Sequence, residues 1–198
     1  FGLALLALGQ ALFAALAGPI AAGLALAGAA WYVLVYTLWL KPRTPWNIVL
    51  GGAAGSFPTL AGWAAATGGR LSPTAWALAL VVFLWTPAHF WALATVTARD
   101  YRRAGVPMLP AVAGAGPAAA RMLRYAVLTL AASLAPLAWG GLGLVYAGAA
   151  IGAGAWFVAW CARHRRSPGP RTAGAVFRAS GTYLLAIFAA AVIDRSLR

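Results

Sequence analysis

The sequence predicts an all-α, polytopic transmembrane helix bundle with about seven spans. Three observations carry that expectation. Hydrophobic residues make up 63% of the 198 and charged residues 9%, whereas a soluble domain carries roughly 25% charged residues. Apolar stretches near the ~20 residues that cross a bilayer core of about 30 Å recur along the chain. Ala and Leu dominate these stretches without strand-like alternation, which favours helices over a closed barrel.

The spans follow in order. The first, 1–17, is short for a crossing, and "AGP" turns the chain after it. Pro19 opens the second, 19–40, which ends at "KPRTPW". The third covers 47–66, where Pro58 permits a bend, and "TGGRLSP" breaks it. The fourth covers 74–98, the fifth 118–139 with "GGLG" after it, and the sixth 144–162. "RHRRSPGPRTAG" reads as a basic loop rich in Pro and Gly, and the seventh span covers 176–193. Nothing resembles a linker between domains or a strong internal repeat, so residues 1–198 form one domain. The chain starts "FGLALLALGQ", without Met and already apolar, so an N-terminal part of the natural protein is expected to be missing.

A net charge of +13 raises nucleic acid as a partner class, but the distribution argues for orientation in a membrane. Lys41 and Arg43 lie in one connection. Arg99, Arg102, Arg103, Arg121 and Arg124 lie in or just after the connection two spans later. Arg163, Arg165, Arg166, Arg171 and Arg178 lie at the next connection but one. The intervening connections and the tail hold Arg70, Arg195 and Arg198. Such alternation places the heavily basic side in the cytoplasm or organelle matrix. No nucleic-acid partner is expected. The lone Cys161 permits no intrachain disulfide and reads as a packing residue.

Candidate chemistry gathers on the basic side. Asp100, one of two acids in the chain, sits in "RDYRRAGVPMLP". It reads either as a surface salt bridge with Arg99 or Arg103, of small energetic weight, or as a carboxylate for a divalent cation beside phosphate-binding cations. His89 lies two residues after Pro87 in the fourth span. If that helix continued, His89 would share a face with Asp100 about 16 Å deeper, flanked by Trp85 and Ala92. Its alternative partner is a carbonyl freed by Pro87. Lys41 is the only lysine among fifteen basic residues, and a compact point charge suits a phosphate. Asn47 either caps a helix start or orients a phosphate. Tyr32 and Tyr36, one turn apart, belong either to an interfacial aromatic belt with Trp31, Trp39 and Trp46 or to the site. Gly51, Gly55 and Gly62 form a stripe suited to close helix packing. Asp194 is expected to pair with Arg195 at the interface, and His164 to be solvated.

Three segments, "YTLWLKPRTPWNIVLGGAAGSFPTLAGWAAATG", "FLWTPAHFWALA" and "DYRRAGVPMLP", resemble the protohaem IX farnesyltransferase (haem O synthase) family, the haem branch of the UbiA-type intramembrane prenyltransferases. The resemblance runs over essentially the whole chain. It implies about nine helices around a central cavity, so that the first two, with the first Asp-rich region, would be absent here. It also implies transfer of farnesyl from farnesyl diphosphate to a vinyl group of haem B, giving haem O for haem A/O-type oxidases. Mg²⁺ would be the cofactor, bound by Asp100. Lys41, Arg43, Asn47, Arg102 and Arg103 would hold the diphosphate, with Asp100, Lys41 and Arg43 catalytic. His89, Tyr36 and Trp85 would face haem or another acceptor, and Tyr36, Trp85 or Trp91 would stabilise allylic cation character. The lipid bilayer and haem A synthase are the implied partners, and a bacterial plasma membrane the implied location. The chain departs from the family's pattern at Ala88 and Thr59, where proline is usual. Two rivals stay open: a sister enzyme acting on a quinone or chlorophyll precursor, and an inactive or non-enzymatic membrane bundle.

Overall fold

A computed structural model describes residues 1–139 and 141–197. Gly140, part of the expected GGLG turn, and Arg198, counted with the sparse basic side, lie outside the described residues. Among those described, every regular element is helical. Helix α1 (Gly2–Ala17) buries no residue. Gly18 breaks the chain with φ 85°, and Pro19 opens α2 (Pro19–Ala30), at a position where its missing N–H costs nothing. The chain then runs unbroken into a π-helix, Trp31–Leu40. Next come α3 (Asn47–Gly51) and α4 (Ala53–Ala66), interrupted at Gly52. Helix α5 (Pro73–Val96) starts with Pro73 behind Ser72, whose hydroxyl accepts the Ala75 N–H at 3.2 Å. Short helices α6 (Ala98–Arg103) and α7 (Leu109–Ala113) follow, then α8 (Ala115–Ser133), α9 (Ala135–Ala138), α10 (Leu144–Arg166) and α11 (Pro170–Ser196).

Six helical stretches are long and apolar enough to cross a membrane, and α1, at 16 residues, falls short of that length. The protein is an integral, multi-pass membrane protein. Helix α5 is the most buried of the six and packs against α4, α8 and α11. Around it lies a core that includes Trp91, Met108, Met122, Phe157 and Ile187. Cys161 is buried and free, as a packing residue should be.

Several sequence expectations change. The "basic loop" is mostly helix: α10 runs to Arg166 and α11 begins at Pro170. Arginines in the last turn of α10 complement its carbonyl end, and Pro170 is preorganised to restart helix. The third span is interrupted at Gly52, more than a turn before Pro58, which sits inside α4.

His164 is fully buried, not solvated. Its Nδ1 lies 2.8 Å from Thr172 Oγ1, whose proton goes to Ser167 O at 2.8 Å. Nδ1 is therefore the donor, and the bond ties the end of α10 to the start of α11. Asp194 turns inward rather than out to the interface. Its carboxylate accepts the N–H groups of Gly143 and, at 3.2 Å, Val145. It thus caps α10 from another helix, where unsatisfied N–H groups and the helix dipole favour an anion.

Candidate functional site

The π-helix sets the geometry of the site. Its hydrogen bonds span five residues, as in Lys41 N–H to Tyr36 O at 2.8 Å. In an α-helix, five steps of about 100° would leave Lys41 roughly 140° around from Tyr36. Winding at roughly 4.4 residues per turn brings the two close to one face. Tyr32, Tyr36 and Lys41 all line one cavity of about 720 Å³. The Tyr32 and Tyr36 rings are 5.5 Å apart, and Lys41 Nζ lies 6.0 Å from the Tyr36 centroid, at the edge of cation–π range. Trp31 donates its indole N–H to Leu50 O at 3.2 Å, pinning the π-helix to α3.

Glycines make the room. A Cβ on Gly51 would run into the Tyr36 ring, one on Gly28 would meet Phe57 Cβ at 2.7 Å, and one on Gly52 would meet Thr86 Cβ at 3.1 Å. The opposite wall is α5, through Val82, Trp85, Thr86 and Phe90, and Tyr101 of α6 joins the lining. Burial pushes the Tyr101 phenol up from its ordinary value, so it stays a hydrogen-bond donor near neutral pH.

Trp85 reaches the cavity with its orientation fixed from behind. Its indole N–H donates to Ser180 O at 2.8 Å. His89 stacks on it at 4.2 Å between centroids and on Phe177 at 4.4 Å. The Ser180 hydroxyl donates to Phe177 O at 2.7 Å, so its lone pair accepts from His89 Nδ1 at 2.7 Å. That tautomer leaves the Nε2 lone pair available. The partner of His89 is therefore a hydroxyl of α11, not a carbonyl freed by Pro87. His89 braces Trp85 and is not among the residues lining the cavity.

The predicted residues divide. Lys41, Tyr36 and Trp85 come together in the cavity. Asp100 is exposed on α6, next in sequence to Tyr101, and forms no ion pair with Arg99 or Arg103. The shared-face relation of His89 and Asp100 does not hold, because α5 ends at Val96 and Thr97 starts a separate helix. Arg43 spends Nη1 on Leu38 O at 3.0 Å and Trp39 O at 2.9 Å, closing the end of the π-helix. Arg102 and Arg103 are exposed on α6. Asn47 is fully buried, donates to Thr44 O at 2.6 Å and leaves Oδ1 without a partner among the described residues. Trp46, not Asn47, occupies the N-cap position of α3. Trp91 lies in the core against Trp46 and Tyr125. Phe90 and Thr86 carry no distinguishing signal in the sequence, whereas Tyr101, also in the lining, stands in the "DYRRAGVPMLP" segment that carries the family resemblance.

Among the described residues no three His, Cys, Asp or Glu side chains cluster as a metal site. Mg²⁺ is commonly held by one or two carboxylates together with substrate phosphates and water. Asp100 fits a single ligand of that kind, and no more.

The family model for the UbiA prenyltransferases matches residues 1–190. The chain belongs to the UbiA prenyltransferase family. It is 49% identical over 197 residues to a protoheme IX farnesyltransferase of Thermus thermophilus, covering all of this chain and 32% of that protein. It is 49% identical over 179 residues to the protein so named in Alkalilimnicola ehrlichii, covering 90% of this chain and 59% of the relative. The corresponding figures for Gloeobacter violaceus are 44% over 185 residues, 93% and 60%. The chain thus spans about a third to three fifths of the length of these relatives. A solved structure described as digeranylgeranylglyceryl phosphate synthase in membranes superposes with a TM-score of 0.77 at 19% identity, over 96% of this chain and 66% of the other. That likeness places the UbiA helix bundle on a known membrane fold.

Proposed function

We propose that this chain forms part of the catalytic cavity of an enzyme that moves farnesyl from farnesyl diphosphate to a vinyl group of haem B, giving haem O. One observation supports this most. An apolar, glycine-opened cavity carries one lysine and three tyrosines in its lining, within a chain that is 44–49% identical to proteins named for haem farnesylation.

In this reading Lys41 meets the diphosphate at the cavity mouth and stabilises the charge that grows on it as the C–O bond breaks. Tyr36 and Tyr101 lie in the same lining and offer neutral O–H donors. Mg²⁺ bound with the diphosphate, with Asp100 as one ligand, would neutralise further charge there. The faces of Tyr36, Trp85 and Phe90 favour positive charge on the allylic carbons, and apolar walls keep bulk water from intercepting it. The outer vinyl carbon of haem forms the new C–C bond as diphosphate leaves. The inner carbon then takes the oxygen of one water, which releases a proton and leaves a hydroxyethylfarnesyl group. His89 contributes by holding Trp85. The basic side, with Lys41 and Asp100, faces the cytoplasm of a bacterial cell, and haem A synthase is a candidate recipient of the product.

Membranes containing the full-length protein, given farnesyl diphosphate and haem B, should yield the mass of haem O. A prenylated quinone precursor formed in place of haem O, when both acceptors are supplied, would overturn the assignment.

A further inference from the structure

We propose that Arg121 of α8 is a positioning residue for Lys41, acting through the indole ring of Trp46. The role rests on the reading above, in which Lys41 meets the diphosphate of a prenyl donor. Lys41 and Trp46 are the two ends of the connection "KPRTPW" between the π-helix and α3. Lys41 lines the cavity, and no residue of α8 does. The sequence places Trp46 in an interfacial aromatic belt, but the structure holds its ring on two sides. The Arg121 guanidinium carbon lies 4.9 Å from the ring centroid, inside the range of a cation–π contact. Trp91 of α5, fully buried, meets the ring edge-on at 6.2 Å. Tyr125, one turn after Arg121 on α8, meets Trp91 edge-on at 5.6 Å. Helix α8 thus grips Trp46 directly through Arg121 and indirectly through Tyr125 and Trp91.

The connection is stiff enough to carry that grip to Lys41. Pro42 and Pro45 each fix one backbone torsion. Thr44 N–H donates to Leu40 O at 3.1 Å, Asn47 N–H to Thr44 O at 3.2 Å and Val49 N–H to Trp46 O at 2.9 Å. The Trp46 N–H adds a bond to Thr44 Oγ1 at 3.3 Å, and the Asn47 amide one to Thr44 O at 2.6 Å. At the near end, Lys41 N–H is held by Tyr36 O. A segment bonded to itself in this way, with few soft torsions, shifts as a unit. Displacing Trp46 therefore displaces the backbone that aims Lys41, and a misplacement of about 1 Å can cost about 100-fold in rate. The contact with Trp46 suits a cation with a flat face. A guanidinium both stacks on the ring and is attracted by its electrons, an ammonium keeps the attraction without the stacking, and an uncharged amide loses the attraction.

The test is a double-mutant cycle in the full-length membrane protein. Arg121→Gln, Arg121→Lys and Trp46→Leu are made in the parent and in a Lys41→Met background, and kcat/KM for farnesyl diphosphate is measured per folded molecule. A residue that acts through Lys41 has nothing left to position once Lys41 is gone. Arg121→Gln should therefore lower kcat/KM about tenfold in the parent and by less than about twofold in the Lys41→Met background. Trp46→Leu should repeat that pattern, which keeps the test decisive if Arg121→Gln does not fold. Arg121→Lys should fall between Arg121→Gln and the parent. A purely structural contact would lower the unfolding midpoint and leave kcat/KM per folded molecule where it was. That result, or equal losses in the two backgrounds, would overturn the role of Arg121. An unchanged kcat/KM in Lys41→Met alone would instead remove the reading of Lys41 on which that role depends.

Discussion

The two acids of this chain sit at opposite ends of the bundle and in opposite circumstances. Asp194 is 4% exposed and accepts backbone N–H groups at the start of α10. Asp100 is exposed on α6, makes no ion pair among the described residues and neighbours a cavity-lining tyrosine. A buried carboxylate has to be satisfied by the protein itself, or its desolvation goes uncompensated. An exposed one keeps its lone pairs for water, metal or ligand. The residue type is the same, so the surroundings decide which acid serves the architecture and which is free for chemistry. The basic residues after the π-helix divide in the same way. Arg43 is committed to helix carbonyls, whereas Lys41 points its charge into the cavity lining.

That contrast can be broken by substitution. Under the proposed reaction, Lys41→Met should show the largest effect, a fall in turnover of about 100-fold or more from loss of a cation at the developing charge. Its unfolding midpoint should stay where it was, and a large drop in that midpoint would move Lys41 to the structural side. Asp100→Asn should lower the rate by about 10-fold or more and raise the Mg²⁺ concentration needed for half-maximal activity, again without loss of stability. Asp194→Ala should do the reverse. It should destabilise the protein by about 2–4 kcal/mol, read by chemical or thermal unfolding, while activity per folded molecule is unchanged. Gly51→Ala should affect both properties, because the new methyl displaces Tyr36: about 1–3 kcal/mol of stability and a severalfold loss of activity.

The smallest expected effect belongs to Tyr101. Its folded-state pKa is raised above 10.0 by burial. As pH climbs past 10 the unfolded phenol ionises while the folded one does not, so the folded state loses stability there and is unaffected below. Tyr101→Phe should soften the decline of the unfolding midpoint above pH 10 and leave the plateau from pH 7 to 9 unchanged. An identical decline in the variant would show that other groups carry it.

Much of this was legible along the chain. Span existence and family membership followed from hydropathy and motif, and Lys41, Tyr36 and Trp85, all singled out along the chain, line one cavity. The misreadings have a common cause. Asp194 and His164 were assigned partners close in sequence, Arg195 and water, but their partners lie across a helix pair, at Gly143 and Thr172. His89 and Asp100 were placed on one ruler that Thr97 breaks. The glycine stripe read as uniform, yet Gly51 packs and Gly62 faces open space.

By itself the sequence determined that the chain crosses a membrane repeatedly as helices and which connections carry the positive charge. Hydrocarbon length and charge count are properties of each segment taken alone. Only the tertiary structure decided which side chains meet. The π-helical winding that turns Lys41 toward Tyr36, the hydroxyl of α11 that orients His89, and the burial of Asn47 all depend on rotation about helix axes. Packing between distant segments sets that rotation, and no single segment encodes it.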